Sequence, residues 1–290
     1  MQQPVDNIIK DLLNSKLSAI ESHLSADVLS YYGALINGVD GFFHKVVEEL
    51  AADQQKKEKL VIILTTPGGS TETVERIVNV VRHFYDIVDF IVPDYAYSAG
   101  TIFCMSGDDI FMDYYSVLGP IDPQVQNREG KLVPALGYLD KIEDLIEKDR
   151  QGTLTNAEFA ILQSMDLAEM KSYEQAKALT IELLKQWLVK YKFSRWTTHR
   201  TDPVKKGQVV TDDEKEKRAE EIASDLSNNK KWKSHGRPIP LSVLRELKLE
   251  INDYSNDDQM KSLIKEYYEL LIDYINKNSI PFFMHTRRFI

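Results

Sequence analysis

Residues 59–125 set the terms for the whole chain: KLVIILTTPGGSTETVERIVNVVRHFYDIVDFIVPDYAYSAGTIFCMSGDDIFMDYYSVLGPIDPQV. The apolar run at 60–64 is too short for a helix and rich in β-branched residues, so it reads as a buried strand. It ends in Thr65-Thr66-Pro67-Gly68-Gly69-Ser70. Pro67 stops the ladder, the two glycines permit backbone closed to other residues, and Ser70 caps a helix. Residues 71–85 place Val74, Ile77, Val78, Val81 and Phe84 at helical spacing. A second apolar run, 87–92, gives the next strand. It leads to Ala96-Tyr97-Ser98-Ala99-Gly100 and an apolar segment, 101–105, that starts a helix directly after Ser98. The order is that of a parallel α/β fold with a candidate nucleophile.

A serine at a strand-to-helix turn has its hydroxyl near unpaired backbone N–H groups and the positive end of a helix. Such groups suit the oxyanion that develops in acyl transfer. The Gly68-Gly69 turn ends the preceding parallel strand and should lie beside the Ser98 turn, offering a second set of bare N–H groups. A simple helix cap is the plain alternative for Ser98.

Thr-Thr-Pro-Gly-Gly-Ser, then Tyr-Ser-Ala-Gly-Thr, then Leu118-Gly119-Pro120-Ile121-Asp122-Pro123-Gln124 together resemble the serine dehydrogenase proteinase family. That family belongs with the signal peptide peptidase A and Clp-type serine peptidases. The resemblance covers roughly residues 27–148. It implies a ClpP/crotonase-like parallel-sheet core, Ser98 as nucleophile, and an oxyanion hole from the N–H of Gly69 (or Gly68) and Ala99. Ala96 stands where a Gly-x-Ser-x-Gly elbow needs its first glycine.

Clp-type relatives place a histidine shortly after the nucleophile, but no histidine lies between His83 and His199. Signal peptide peptidase and stomatin-operon relatives use a lysine, which must be neutral to act as a base; burial achieves this. Lys141 follows the apolar lead-in Pro134-Ala135-Leu136-Gly137-Tyr138-Leu139 and matches the place of that lysine. Lys148 shares its helical face, and Lys131 lies in a polar turn. A wet helix pairing Lys141 with Asp140, Glu143 or Asp144 is the alternative. Asp122 is a candidate to orient the lysine or contact substrate, or else a local turn before Pro123.

With 43% hydrophobic and 28% charged residues, 290 residues allow one large domain or a domain with an appendage. The net charge of −9 argues against non-specific nucleic-acid binding. The single cysteine, Cys104, gives no disulfide framework, and the six scattered histidines give no zinc pattern. No apolar stretch is long enough to span a bilayer and no signal peptide is seen, so a cytoplasmic protein is expected. The Gly68-Gly69-Ser70 turn lacks a P-loop lysine, and no Gly-x-Gly-x-x-Gly follows a strand, so no cofactor is implied.

Helices are expected at 5–24, 38–54, 139–148, 212–226, 241–247 and 257–278, and strands at 27–32 and 110–112. The tract 156–193 exceeds a normal globular helix, so a bend or two helices are expected, its apolar stripe serving as core or interface. Residues 1–193 then form the peptidase core, and 194–290 a helical capping or oligomerisation extension. In it, Trp232-x-x-His235-Gly236-Arg237-x-Ile239 also resembles the family. His235 is expected to fix that turn by hydrogen bonding, or to close over the site. The tail 279–290 either docks on a neighbour or stays mobile.

The leading expectation is a serine peptidase with a Ser98–Lys141 dyad, acting on a peptide or protein substrate as a homo-oligomer. The other expectations are a non-catalytic scaffold or ligand-binding subunit, and a crotonase-like acyl-CoA enzyme.

Overall fold

The apolar run at 60–64 lies inside a six-stranded sheet, where neither of its faces meets water. The computed structural model describes residues 4–126, 132–200 and 202–290. In chain order its elements are α1 (Pro4–Leu24), β1 (Asp27–Tyr32), α2 (Val39–Ala51), β2 (Lys59–Thr65), α3 (Thr71–Phe84), β3 (Ile87–Ile91), β4 (Tyr95–Ala96) and α4 (Ala99–Met105). Then come β5 (Asp109–Met112), β6 (Val117–Leu118), β7 (Gln124–Gln126), β8 (Leu132–Pro134), α5 (Ala135–Arg150), α6 (Asn156–Ser164) and α7 (Leu167–Trp187). The last are α8 (Asp212–Leu226), α9 (Asn229–Trp232), β9 (Ile239–Pro240), α10 (Leu241–Glu246), β10 (Asn252–Asp253), α11 (Asp258–Asn278) and β11 (Phe283–His285). A π turn, Leu188–Lys192, continues α7.

The main sheet runs β10-β5-β3-β2-β1-β11 and is parallel except for β11. Leu60, Ile62 and Leu64 face a core shared with α2, α3, α4 and α7, while Val61 and Ile63 face a second core under α1 and α11. A strand covered on both faces has no solvent side, hence the unbroken apolar run. α3 begins where the sequence places it, because the Ser70 hydroxyl accepts the Thr73 N–H at 3.0 Å. A smaller sheet, β4-β6-β9, and the β7–β8 hairpin complete the architecture.

The tract 156–193 is two helices. Asp166 caps α7 by accepting the Ala168 and Glu169 N–H groups, which breaks the tract after Met165. α6 buries none of its side chains, whereas α7 buries Tyr173, Leu183, Leu184 and Trp187. The apolar stripe is therefore core in its second half and exposed in its first.

Residues 194–290 do more than cover the core. They supply both edge strands of the main sheet, β10 beside β5 and β11 beside β1, and α11 packs against α1. The tail docks on its own chain. His285 lies fully buried between Asn14 and Tyr267, with Nε2 2.9 Å from the Asn14 Oδ1 and Nδ1 2.9 Å from the Tyr267 hydroxyl. An amide oxygen only accepts, so Nε2 carries the proton and Nδ1 accepts from Tyr267. Arg287 donates to Glu21 at 2.8 Å and to Asp27 at 2.7 Å, and Asp27 also accepts the Tyr85 hydroxyl at 2.7 Å. Among the described residues no helix is long and apolar enough to cross a membrane.

Burial pushes the His285 imidazole down from its ordinary 6.5 to about 4. The unfolded chain therefore binds a proton between these values that the native state refuses. That stability is present above pH 6.5 and is lost as pH falls towards 4, by about 3 kcal/mol. Urea denaturation of wild type and His285→Gln at pH 7, 5.5 and 4 should show the variant less stable at pH 7 and with a flatter acid decline. Parallel declines would refute this assignment.

Candidate active site

The turn after β2 and the turn after β4 are joined by backbone. Thr66 donates its N–H to the Tyr95 carbonyl and accepts the Tyr97 N–H, both at 3.0 Å, which extends the small sheet to the Pro67-Gly68-Gly69 turn. On the other side of that turn runs Leu35. Its N–H donates to the Gly68 carbonyl at 2.8 Å, and its carbonyl accepts the Ser70 N–H at 2.9 Å. A trans peptide points its C=O and N–H in opposite directions. With the Gly68 carbonyl held on Leu35, the Gly69 N–H must therefore face away from Leu35, towards the Ala96–Ser98 side. Neither the Gly69 nor the Ala99 N–H has an acceptor among the described residues. The Gly68 N–H is already taken by the Thr66 hydroxyl at 3.0 Å. Of the two glycines, Gly69 is thus the one with a donor to offer.

Both positions demand glycine. Gly68 has φ +101°, and a Cβ there would sit 2.7 Å from the Tyr97 carbonyl oxygen and 2.8 Å from the Ser98 Cβ. Gly69 has φ +155°, and its Cβ would fall 2.2 Å from the Leu35 carbonyl oxygen. The Gly68 near-contacts place the glycine turn directly against the serine, and those of Gly69 press it against Leu35.

Ser98 is 4% exposed and holds φ 52°, ψ −117°, a backbone conformation that costs a non-glycine residue about 1–3 kcal/mol. Its side chain makes no cap hydrogen bond to α4, so the helix-cap alternative does not account for it. The strain directs the serine away from its helix while leaving the Ala99 N–H at the helix start. Thr101 fixes the far wall: its hydroxyl accepts the Gly119 N–H at 3.0 Å and lies 2.8 Å from the Ala96 carbonyl. The Leu118-Gly119-Pro120 segment is thereby latched to α4.

Asp122 continues from that segment and is 2% exposed. Its Oδ1 accepts the Leu136 N–H at 3.1 Å, in the first turn of the helix that carries Lys141, and its Oδ2 has no partner. Burial pushes its carboxyl up to about 6, only partly offset by the Leu136 N–H, with nearby Asp140 adding to the rise. Lys141 itself lies on the exposed side of α5 with no ion-pair partner among the described residues. Lys148 is paired with Glu158, and Lys131 lies outside the described residues. His235 does not fix its turn as expected: its Nδ1 is buried without a hydrogen-bond partner. The turn is closed instead by the Arg237 N–H on the Ser234 carbonyl at 3.1 Å and the Trp232 indole on the Asp225 carbonyl at 2.7 Å. Among the described residues no group of three or more His, Cys, Asp or Glu side chains is placed to hold a metal ion.

Residues 45–202, more than half of the chain, match the family described as ClpP-like SDH-type serine proteinases. The chain belongs to that family. Among curated proteins it is 29% identical over 205 residues to uncharacterised protein MJ1495 of Methanocaldococcus jannaschii, covering 71% of this chain and 53% of that protein. A shorter stretch of 59 residues is 39% identical to MJ0137 of the same organism, 20% of this chain and 21% of the other. The chain thus spans about half the length of the longer-matching relative. A solved structure of a mutant of 1510-N, a membrane-bound stomatin-specific protease, aligns at 19% identity and a TM-score of 0.32, covering 56% of this chain and 68% of that one. For this member of the ClpP-like family, Thr66, Thr101 and the Leu35 backbone are the residues of the candidate site that the sequence did not flag. The threonines lie within or beside the quoted motifs, but Leu35 contributes only backbone and leaves no signal.

Two substitutions test the geometry. Gly68→Ala should destabilise the fold by about 1–3 kcal/mol in urea melts, since φ is +101° there and the new methyl meets the Tyr97 carbonyl and the serine itself. Undiminished stability would show that the two turns are not in contact. Asp122→Asn keeps the acceptor for Leu136. Wild-type Asp122 has its carboxyl raised above the unfolded 3.8, so its contribution is full at low pH and lost as pH rises through about 6. The variant should therefore gain about 2 kcal/mol on wild type between pH 4 and pH 8 in urea melts. A pH-independent difference would refute the shift.

Proposed function

We propose that this chain hydrolyses peptide bonds as a serine endopeptidase, with Ser98 as nucleophile and Lys141 as base. The observation that carries the reading is Ser98 held at positive φ beside two N–H groups without acceptors among the described residues, those of Gly69 and Ala99. Family membership supports the reaction class.

The sequence of events uses only these groups. The Ser98 Oγ attacks the scissile carbonyl carbon while its proton passes to the neutral Lys141 Nζ. The carbonyl oxygen becomes an oxyanion and accepts from Gly69 and Ala99. Collapse breaks the C–N bond, and the lysinium returns its proton to the leaving amine. A water then attacks the acyl-enzyme, losing its proton to Lys141; collapse breaks the acyl–Oγ bond and the lysinium returns that proton to the Ser98 Oγ. The exposure of Lys141 in the single chain sets a condition on this step: the amine needs desolvation, which an occupying peptide or a second copy of the chain would provide. We accordingly propose a homo-oligomer as the active form and, from the sequence, a cytoplasmic setting. The same exposure is the observation that favours the second reading, a ligand-binding subunit with an incomplete site.

Fluorophosphonate labelling of wild type, Ser98→Ala, Lys141→Ala, Lys148→Ala and Lys131→Ala decides between them. Loss of labelling by at least about 100-fold in Ser98→Ala and Lys141→Ala alone, with native melting, is the expected result. Loss in Lys148→Ala or Lys131→Ala instead would move the base, and a wild type that never labels would favour the binding subunit.

A further inference from the structure

Directly before Ser98 the chain carries Asp94-Tyr95-Ala96-Tyr97, which sets a half-buried aspartate next to two stacked tyrosines. In an extended strand alternate side chains share a face, so Ala96 turns into the core while Tyr95 and Tyr97 face outward together. Their rings stack at 5.4 Å with 24° between the planes. The pair is braced at Gly119: a Cβ there would fall 2.5 Å from the Tyr97 Cδ1, so Tyr97 packs tightly against that glycine. Tyr32 lies beside the Tyr95 hydroxyl. Tyr115, 64% exposed, flanks Tyr97 from the loop between β5 and β6.

Asp94 lies in the bend just before β4, outside the strand's alternation, and its charge acts on both tyrosines. Its Oδ2 accepts the Tyr268 hydroxyl at 3.2 Å, and Tyr268 in turn accepts from Thr65 at 3.2 Å. Burial and the nearby Asp113 both disfavour its charge. No cation answers it among the described residues. Several shielded aspartates of this protein are paired, Asp27 with Arg287, Asp40 with Arg76, Asp89 with Lys59 and Asp108 with Arg82, while the neighbouring half-buried Asp113 spends its Oδ1 on the Tyr115 and Ser116 N–H groups. Asp122 is also unpaired, but it is sealed from solvent and serves α5. Asp94 is open, half-desolvated and without a counter-ion.

We propose that Asp94 and the Tyr95–Tyr97 stack recognise a lysine or arginine side chain of the substrate, within two residues of the scissile bond. This rests on the Ser98 reading, whose Cα is one peptide, about 3.8 Å, from that of Tyr97. The aliphatic stem of such a side chain lies along the tyrosine rings and its cationic head meets Asp94. The pairing is a charge-assisted hydrogen bond in a site already partly stripped of water. The net charge of −9 draws basic peptides towards the protein before they dock.

The test compares peptidyl diphenyl phosphonates that differ only in lysine against norleucine, placed next to the phosphorus or one residue away. Each variant is scored by the ratio of its two labelling rates, so a general change in activity cancels. Wild type should prefer lysine by about tenfold at one of these positions. Asp94→Asn, which keeps an acceptor for Tyr268, should bring the ratio close to one, and Tyr95→Leu should lower it several-fold. Labelling of Ser98 by both probes at equal rates in wild type would overturn the inference and leave the nucleophile standing. An unchanged preference in Asp94→Asn would overturn it as well. Failure of wild type to react with these probes and with a plain fluorophosphonate would overturn the serine peptidase reading and, with it, this one.

Discussion

The peptide group between Gly68 and Gly69 is the constraint on which the site depends. Leu35 holds its carbonyl, and planarity then sends its N–H to the opposite side, towards Ser98. The arrangement tolerates no side chain, because either Cβ would meet backbone well inside van der Waals contact. A flexible donor would have to be ordered each time an oxyanion formed. One pinned between two neighbouring segments is ordered in advance, as the oxyanion role proposed for it requires.

Around that peptide, three segments far apart in sequence are locked by a few backbone bonds. Thr66 ties the glycine turn to the strand before Ser98, and Thr101 ties the helix after Ser98 to Gly119. Asp122, three residues on, holds the start of the helix bearing Lys141. The buried carboxylate is a costly way to hold a helix, since burial raises its pKa and one oxygen stays unpartnered. Perturbed carboxyls of this kind concentrate where chemistry is done. The cost of the Ser98 backbone is met in the same way, by a core that leaves α4 nowhere else to go.

The edges of the main sheet depend on the last third of the chain. β10 and β11 are two and three residues long and cover the two sides of a four-stranded parallel core. Open edges invite pairing with other chains, and these short strands close them from within. Neither carries a periodic signal of its own. β11 is held by its flanks: His285 between Asn14 and Tyr267, and Arg287 on Glu21 and Asp27.

By itself the sequence determined the elements whose information is local. The doubly buried strands declare themselves as apolar runs, Ser70 as a cap, and the two glycines and Ser98 as turn residues facing one sheet end. The break after Met165 was expected in kind but not in place, because Asp166 reads as a cap only once the chain has bent there. Only the tertiary structure decided which glycine has a free donor, since that rests on the Leu35 backbone, which no side-chain pattern encodes. It alone showed that His235 lacks the bond expected of it and that Lys141 faces solvent. It alone brought the tail into the sheet. Short strands and single hydrogen bonds between distant residues leave no period in the sequence, and their partners are chosen by the packing of everything else.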